Sequence, residues 1–222
     1  MSNNQKCFKD LKIVLVGNSG TGKTSFARRW TNGDFSETYK ATIMSDFTYK
    51  IYSYKGKNYK IQIWDLAGQD KNIFTSKIFT KNAHATITLS DISAPNSLKA
   101  TLKWKKAVDE NTKFIDNEPI PTVLVINKID LMDSNSYLKK EEEIHNFAQE
   151  NNFINYFKTS CKDGTGVNEC MDYLIQNIIE RLEKYSANNN VPLVTDDRSS
   201  IVIEKSKSFM SKQDNKYCCG YV

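Results

Sequence analysis

A glycine-rich stretch near the start of the chain has the residue types and spacing of a phosphate-binding loop (P-loop). Residues 17–24 match the pattern G-x-x-x-x-G-K-[ST]. An apolar run at 11–16 precedes them and a helix-like segment at 25–30 follows, which is the strand–loop–helix context of this motif. Glycines let backbone N–H groups approach phosphate oxygens, Lys23 supplies a positive charge, and the Thr24 hydroxyl is a ligand for Mg²⁺. The predicted phosphate-binding residues are Gly17, Asn18, Ser19, Gly20, Thr21, Gly22, Lys23 and Thr24.

A second motif predicts which base is bound. Residues 127–130, Asn-Lys-Ile-Asp, directly follow the apolar run at 122–126, and ligands of open α/β sheets bind at the carboxyl ends of strands. A carboxylate such as Asp130 can accept from both the ring N–H and the exocyclic amine of guanine, whereas adenine has no such donor pair. We expect Lys128 to lie along the base and ribose and Asn127 to tie this loop to the phosphate-binding loop. Taken alone, the motif also fits an ordinary strand-to-helix turn.

Polar residues follow other predicted strands in the same way. Asp65 ends the strand at 59–64, where a carboxylate can hold Mg²⁺ through water. We expect the Gly68 N–H to approach the γ-phosphate, Gln69 to orient an attacking water, and Thr42 to add a second hydroxyl near the metal. Three residues after the predicted sixth strand lie where a backbone N–H can meet the base carbonyl: Ser160, Cys161 and Lys162.

Strand-like and helix-like segments alternate along the chain, which predicts a mostly parallel α/β sheet. The predicted strands cover 11–16, 47–54, 59–64, 85–89, 122–126 and 153–157, and a hairpin turn at 54–57 makes one edge strand antiparallel. The predicted helices cover 25–30, a short segment ending at 82, 97–108, 137–150 with an acidic first turn at 141–143, and 167–182. The expected fold is therefore a P-loop NTPase domain: six strands flanked by about five helices.

Composition limits the remaining possibilities. The 222 residues are 39% hydrophobic and 26% charged, which suits one domain at 11–185 with a short extension at 1–10 and a flexible tail at 186–222. A docked C-terminal extension is the alternative for the tail. The net charge of +5 is scattered, so nucleic-acid binding is not expected. The five cysteines fit neither a disulfide framework nor a zinc site, and neither a signal peptide nor a membrane-spanning run is apparent, so a cytoplasmic location is expected.

Together these motifs resemble, in order and spacing, those of the Rab family of small Ras-superfamily GTPases. The matching residues are 17–24, 42–43, 64–69, 127–130 and 160–162, and the resemblance covers residues 10–184. It implies a small G-domain that binds GTP and GDP with Mg²⁺ and hydrolyses GTP slowly without an activating protein. The implied catalytic residues are Gln69 and Lys23, and the implied metal ligands are Thr24, Thr42 and Asp65.

The resemblance also assigns further contacts. It implies that Ser25 contacts the α-phosphate, that Phe35 stacks on guanine, and that Tyr39 covers the phosphates. It places Thr42 in the switch I loop, and Gly68 and Gln69 in switch II. It further implies an aromatic triad that effector proteins bind, for which ordinary packing between sheet and helix is the alternative. The triad residues are Phe47, Trp64 and Phe79.

The end of the chain resembles the paired cysteines on which Rab proteins carry geranylgeranyl groups. Cys218 and Cys219 would carry two lipids, and one lipid alone gives only marginal membrane binding. Two idle thiols are the alternative. The resemblance implies an exchange factor, a GTPase-activating protein, a GDP-dissociation inhibitor or escort protein, and effectors as partners. It also implies a monomer on the cytosolic face of intracellular membranes, closest to the Rab branch that serves lysosome-related organelles.

Departures from the family pattern bear on partner identity. Met44 stands where Rabs usually have glycine, Ser45 where they have valine, Asn72 for a switch II phenylalanine, and Thr80 for a tyrosine. Cys161 replaces an alanine. The departures at Met44 and Asn72 leave a second function open, a hydrolysis-deficient GTP-binding scaffold. A metabolic P-loop kinase is a third possibility, disfavoured because no lid or second substrate pocket is visible.

Overall fold

The computed structural model describes residues 9–38, 40–42, 45–68 and 76–190. The described part forms alternating strands and helices, as expected for an α/β protein. The strands are β1 (Lys9–Val16), β2 (Ser45–Tyr54), β3 (Lys57–Leu66), β4 (Ala85–Asp91), β5 (Thr122–Asn127) and β6 (Asn155–Lys158). The helices are α1 (Lys23–Asn32), α2 (Ser76–Thr80), α3 (Ser97–Asn111), α4 (Ser134–Glu150) and α5 (Val167–Asn189), with a short 3-10 helix (Ile129–Leu131) between β5 and α4.

The described strands form one six-stranded sheet in the order β2-β3-β1-β4-β5-β6. β1 runs parallel to β3 and β4, β4 to β5, and β5 to β6, whereas β2 pairs antiparallel with β3 through the hairpin. The predicted fold is therefore confirmed. Because five strands run in the same direction, their carboxyl ends open at one edge of the sheet, and the loops after β1, β3, β5 and β6, which carry most of the predicted site residues, begin there.

The core lies on both faces of this sheet. Neighbouring residues of β1, such as Ile13, Val14 and Leu15, are all fully buried, because helices cover both faces of a parallel sheet. α5 contributes the largest helical share of the core, with buried side chains repeating at helical spacing. These are Val167, Cys170, Met171, Leu174, Ile175, Ile178, Ile179 and Leu182.

Several element boundaries differ from those predicted. α4 begins at Ser134, so the prediction of an acidic first turn at 141–143 is wrong, and those glutamates lie further along the helix. Phe153 precedes β6 and belongs to the turn after α4, where its N–H donates to the Ala148 carbonyl. α5 continues to Asn189, beyond the predicted domain end at 185. Residues 191–222 lie outside the described residues, so the flexible tail stays a prediction.

A buried histidine joins the first and fourth strands. His84 is 9% exposed, and its Nδ1 atom accepts the backbone N–H of Lys12 at 3.0 Å. Burial, together with repulsion from Lys12, lowers the pKa of His84 to about 4. The folded protein therefore holds this imidazole in the neutral form, in which Nδ1 can accept a hydrogen bond.

This histidine is expected to make stability sensitive to acid. A folded-state pKa below the unfolded value of about 6.5 gives a contribution that is complete above pH 6.5 and is lost as the pH falls towards 4. The loss is roughly 3 kcal/mol at most. We expect His84→Gln to flatten the fall in unfolding free energy between pH 6.5 and 4.5, measured by urea unfolding. The same change at the exposed His145 should leave the pH profile unaltered. Parallel profiles for wild type and His84→Gln would contradict the assignment.

Candidate functional site

The carboxyl edge of the sheet holds a cavity of about 520 Å³, a size typical of small-molecule sites. Its wall is formed by the P-loop, the loop before β2, and the loops after β3, β5 and β6. The sequence-predicted residues on this wall are Ser19, Gly20, Gly22, Lys23, Thr24, Ser25, Phe35, Thr42, Gly68, Asn127, Lys128, Asp130, Cys161 and Lys162. Motifs far apart in the sequence thus meet at one site.

The P-loop leads directly into α1. Gly22 is the N-cap of α1 in a left-handed conformation (φ 96°), and a Cβ atom there would collide with the Asn127 side-chain amide. No side chain caps the first turn of α1, and that turn contains no acidic residue. The first N–H groups of the helix therefore have no capping side chain from Gly22, and together with the helix dipole they suit an anion.

Lys23 is the buried cation of the site. Its side chain is 6% exposed, and its Nζ atom donates to the carbonyl oxygens of Gly17 and Asn18, each at 2.9 Å. Desolvation lowers the pKa of Lys23 to about 8, although the nearby Asp65 carboxylate opposes the shift. Among the described residues the hydrogen-bond acceptors of this ammonium are carbonyl oxygens, which compensate a buried charge poorly, so a phosphate beside it would strongly favour its charged form.

Three side-chain oxygens meet next to this lysine. Thr24 Oγ1 donates to Asp65 Oδ2 at 2.5 Å and lies 3.0 Å from Thr42 Oγ1, which is itself 3.5 Å from Asp65 Oδ2. Asp65 is 2% exposed, and its Oδ1 atom has no hydrogen-bond partner among the described residues. Burial raises the pKa of this carboxyl, against the lowering effect of Thr24 and Lys23. Two hydroxyls and a carboxylate with a spare oxygen are hard ligands, so the residues fit Mg²⁺.

Asn127 joins the P-loop to the loops after β5 and β6. Its side chain is 1% exposed, and its amide donates to the Thr21 carbonyl at 2.8 Å. Its Oδ1 atom accepts from the Thr159 hydroxyl at 3.0 Å and from the Cys161 thiol at 3.3 Å. Burial raises the pKa of Cys161 to about 12, so this thiol stays protonated and acts as a donor. The tie predicted for Asn127 is present in this geometry.

The predicted base-reading residues lie at the other end of the cavity. The Asp130 carboxylate accepts from the Ser160 hydroxyl at 2.7 Å, which fixes its orientation and leaves acceptor capacity for a ligand. Lys128 Nζ lies 2.7 Å from Asp91 Oδ2. Burial opposes ionisation of Asp91, but hydrogen bonds from Lys128 and Ser93 hold the pKa of Asp91 below its usual value. The ion pair keeps the Lys128 side chain on the cavity wall.

Some predicted residues do not line the cavity but hydrogen-bond to side chains that do. Gly17, Asn18 and Thr21 contribute carbonyl acceptors, Ser160 holds Asp130, and Asp65 holds Thr24. Tyr39 and Gln69, together with the departures Met44 and Asn72, lie outside the described residues.

The sequence prediction missed several residues of the site. Asp91 is the last residue of β4, and Asp65 is the last but one of β3. The expectation that polar residues at strand ends face the ligand, which was applied to Asp65, therefore also predicts Asp91. Trp104 of α3 donates its indole N–H to Asn18 Oδ1 at 2.9 Å, and Arg29 of α1 donates to a carbonyl of the loop after β6. No local sequence pattern predicts either contact. The wall also includes seven residues that were not predicted: Arg28, Ser36, Glu37, Thr38, Lys40, Ala41 and Leu131.

The predicted effector triad combines Phe47 of β2 and Trp64 of β3 with Phe79 of α2, and Trp64 packs between the two phenylalanines. Its ring centroid lies 5.2 Å from that of Phe47 and 6.2 Å from that of Phe79. Phe47 is 45% exposed. The three rings thus form one cluster that solvent reaches, which is compatible both with packing and with a docking surface.

Comparisons with known proteins bear on this geometry. The family model "Ras family" matches residues 12–180. The chain is 35% identical to Ras-related protein Rab-32B of Dictyostelium discoideum over 94% of the chain and 76% of the relative. It is 30% identical to Rab-32 of Sus scrofa over 94% of the chain and 88% of that protein. This chain is a Rab GTPase of the Ras family. A further relative, human Rab-7L1, is 29% identical over 76% of the chain and 82% of its own length.

Membership establishes several properties of this Rab GTPase. It binds guanine nucleotide, hydrolyses GTP, and acts as a switch in membrane trafficking, as Ras and Rab family members do. Regulators and effectors are its general classes of partner. The predicted family and branch are confirmed by the Rab-32 and Rab-7L1 relatives. None of the described helices combines the length and the apolarity that crossing a membrane requires.

Proposed function

We propose that the cavity at the carboxyl edge of the sheet binds GTP and GDP with Mg²⁺ through the residues identified above. The supporting observation is that one cavity is lined by the buried Lys23, by the Thr24 and Thr42 hydroxyls that Asp65 holds from behind, and by Asp130. Lys23 and the P-loop N–H groups bind the phosphates, and Ser25 the α-phosphate. Phe35 and Lys128 lie along the base, and Asp130 reads its edge. Thr24, Thr42 and Asp65 hold Mg²⁺, which supplies charge neutralisation at the phosphates.

Hydrolysis in this site depends on positioning. The side chains of Lys23 and Thr24 are fixed before the substrate arrives, because each is already hydrogen-bonded within the protein. Gln69 orients the attacking water, Tyr39 covers the phosphates, and the Gly68 N–H faces the γ-phosphate. Loss of the γ-phosphate then releases Thr42 and Gly68, so the two loops change state together. Turnover is slow until an activating protein completes the site.

Replacing Gln69 by leucine is expected to keep nucleotide affinity and to slow intrinsic GTP hydrolysis about tenfold, because leucine cannot orient water. Single-turnover phosphate release measures the effect, and repeating it with an activating protein tests the alternative of a hydrolysis-deficient scaffold. The same change at the exposed Gln149 of α4 should leave the rate unaltered. Undiminished hydrolysis in Gln69→Leu would count against the assigned role.

The active protein is proposed to sit on the cytosolic face of endomembranes, held by geranylgeranyl groups on Cys218 and Cys219. Both cysteines lie outside the described residues, and the proposal rests on the sequence and the family. Changing both to serine is expected to abolish membrane attachment, and each single change to leave a weakened, reversible attachment. Cys7→Ser should not alter it. Imaging of the tagged full chain gives the result; a membrane-bound double variant would overturn the proposal.

The triad of Phe47, Trp64 and Phe79 is proposed as the surface that effectors bind in the GTP state. Exchange factors, activating proteins and an escort protein are proposed to bind the neighbouring switch segments, beside the departure at Ser45. The departure at Thr80 is fully buried at the end of α2 and does not contribute to this surface. The compartment is proposed to be endosomal or lysosome-related, in keeping with the Rab-32 relatives. The protein itself is proposed to act as a monomer. Pull-down of effectors with GTP-loaded wild type and with GTP-loaded Trp64→Ala tests this surface. Equal capture of effectors by both proteins would contradict the assignment.

A further inference from the structure

One arginine of α1 joins three parts of the site. Arg29 Nε donates to the carbonyl oxygen of Cys161 at 2.8 Å, and Nη2 donates to that of Lys162 at 2.5 Å. The remaining nitrogen, Nη1, donates to the carbonyl oxygen of Gly33 at 2.6 Å. The guanidinium carbon also lies 6.0 Å from the centre of the Phe35 ring. The side chain is thus engaged by the loop after β6 and by the start of the segment that follows α1.

The first two contacts bear on the direction of backbone N–H groups. A peptide unit is planar and trans, so its N–H points away from its C=O. Holding the carbonyl of Cys161 therefore fixes the direction of the Lys162 N–H, and holding consecutive carbonyls limits rotation of the loop. Both residues line the cavity beside Asp130.

The guanidinium suits this arrangement better than another cation would. Its five donors lie in one plane at fixed angles, so three carbonyl oxygens can be held at once, whereas an ammonium acts as a flexible point charge. Hydrogen bonds from a charged donor are also stronger than neutral ones. Because Arg29 projects from the helix that begins at Lys23, its anchor is rigidly connected to the P-loop.

We propose that Arg29 is a positioning residue for guanine recognition, which orients the Cys161–Lys162 loop so that its N–H groups meet the base carbonyl. Through Gly33 and Phe35 the same side chain joins this loop to the segment that leads to Thr42. The Cys161–Lys162 loop and the start of the segment after α1 are therefore held as one unit. Loss of the arginine shortens the lifetime of bound guanine nucleotide. This inference rests on the proposed nucleotide site.

The test compares two diphosphates on the full chain with Mg²⁺. GDP has the base carbonyl, whereas the diphosphate of 2-aminopurine riboside keeps the exocyclic amine and the phosphates but lacks that carbonyl and the ring N–H that goes with it. The missing ring N–H weakens the pairing with Asp130 equally in wild type and variant, so each release rate is compared with that of wild type for the same diphosphate. We expect Arg29→Ala to accelerate GDP release about tenfold and release of the analogue less than about threefold, because the analogue never uses the loop N–H groups. Arg29→Lys should resemble Arg29→Ala, and it serves as the second variant where alanine fails to fold.

Arg181 of α5 provides a matched control. It also donates three hydrogen bonds, two to Asp116 and one to the Pro119 carbonyl, and packs 4.3 Å from the Phe114 ring centre, outside the cavity wall. Arg181→Ala should lower the melting temperature and leave release of both diphosphates unchanged. Equal acceleration of both diphosphates by Arg29→Ala, or unchanged GDP release, would overturn the proposal. Failure of wild type to retain GDP would instead refute the nucleotide site itself.

Discussion

Replacing Asp130 by asparagine is expected to weaken GDP and GTP binding by about 10²- to 10⁴-fold. The carboxylate accepts two charge-assisted hydrogen bonds from guanine in the proposed complex, each contributing about 1.5–3 kcal/mol. The amide of asparagine retains one acceptor but directs a donor at a donor of the base. Because the side chains have nearly the same shape, and because the amide oxygen can still accept from Ser160, the fold should change little.

Base selectivity distinguishes this effect from a general loss of structure. ADP has no donor pair for the carboxylate, so Asp130→Asn should leave its weak binding almost unchanged, and the ratio of GDP to ADP dissociation constants should collapse. The same change at Asp116, whose carboxylate is bound by Arg181, should lower thermal stability without affecting either constant. If Asp130→Asn keeps the wild-type preference for GDP over ADP, the proposal that Asp130 recognises the base is wrong.

The parts of the site that sequence predicted best are those in which one short segment carries all the chemistry. The P-loop at 17–24 and the stretch at 127–130 each combine a strand end, a turn and functional side chains within a few residues. Spacing alone then constrains their position, because the carboxyl ends of parallel strands share one edge. The antiparallel β2 was predictable for a similar reason, since its hairpin turn is local.

The parts that sequence could not predict depend on contacts between distant elements. Arg29 and Trp104 lie on helices whose patterns give no hint of a polar role, and only the packing of α1 and α3 brings them to the loop after β6 and to Asn18. Phe153 was assigned to a strand for its apolar character, yet it packs against Phe147 at the end of α4, with ring centroids 6.3 Å apart. Burial, rather than strand formation, accounts for that residue.

The second large effect is expected from Gly68→Ala, which should reduce GTP hydrolysis about 10²-fold. The backbone of Gly68 does not need a positive φ, so the effect arises from space alone. An added Cβ would lie 2.5 Å from both Lys23 Nζ and the Asn18 carbonyl carbon, and it would also meet the Ser19 N–H. Since ordinary contact begins at 3.4 Å, the loop must retreat by about 1 Å. Its N–H then no longer reaches the γ-phosphate in the proposed complex.

Two comparisons separate this effect from a general loss of structure: one between nucleotides with and without a γ-phosphate, and one between Gly68 and a control glycine. Because the Gly68 N–H is proposed to serve only the γ-phosphate, Gly68→Ala should weaken binding of a non-hydrolysable GTP analogue more than binding of GDP. Gly56, at the tip of the β2–β3 hairpin, has φ 73° and open space where a Cβ would project. Gly56→Ala should therefore cost about 1 kcal/mol of stability through backbone strain and leave hydrolysis unchanged. Wild-type turnover in Gly68→Ala, measured as single-turnover phosphate release, would show that close approach to the P-loop is not required for the reaction.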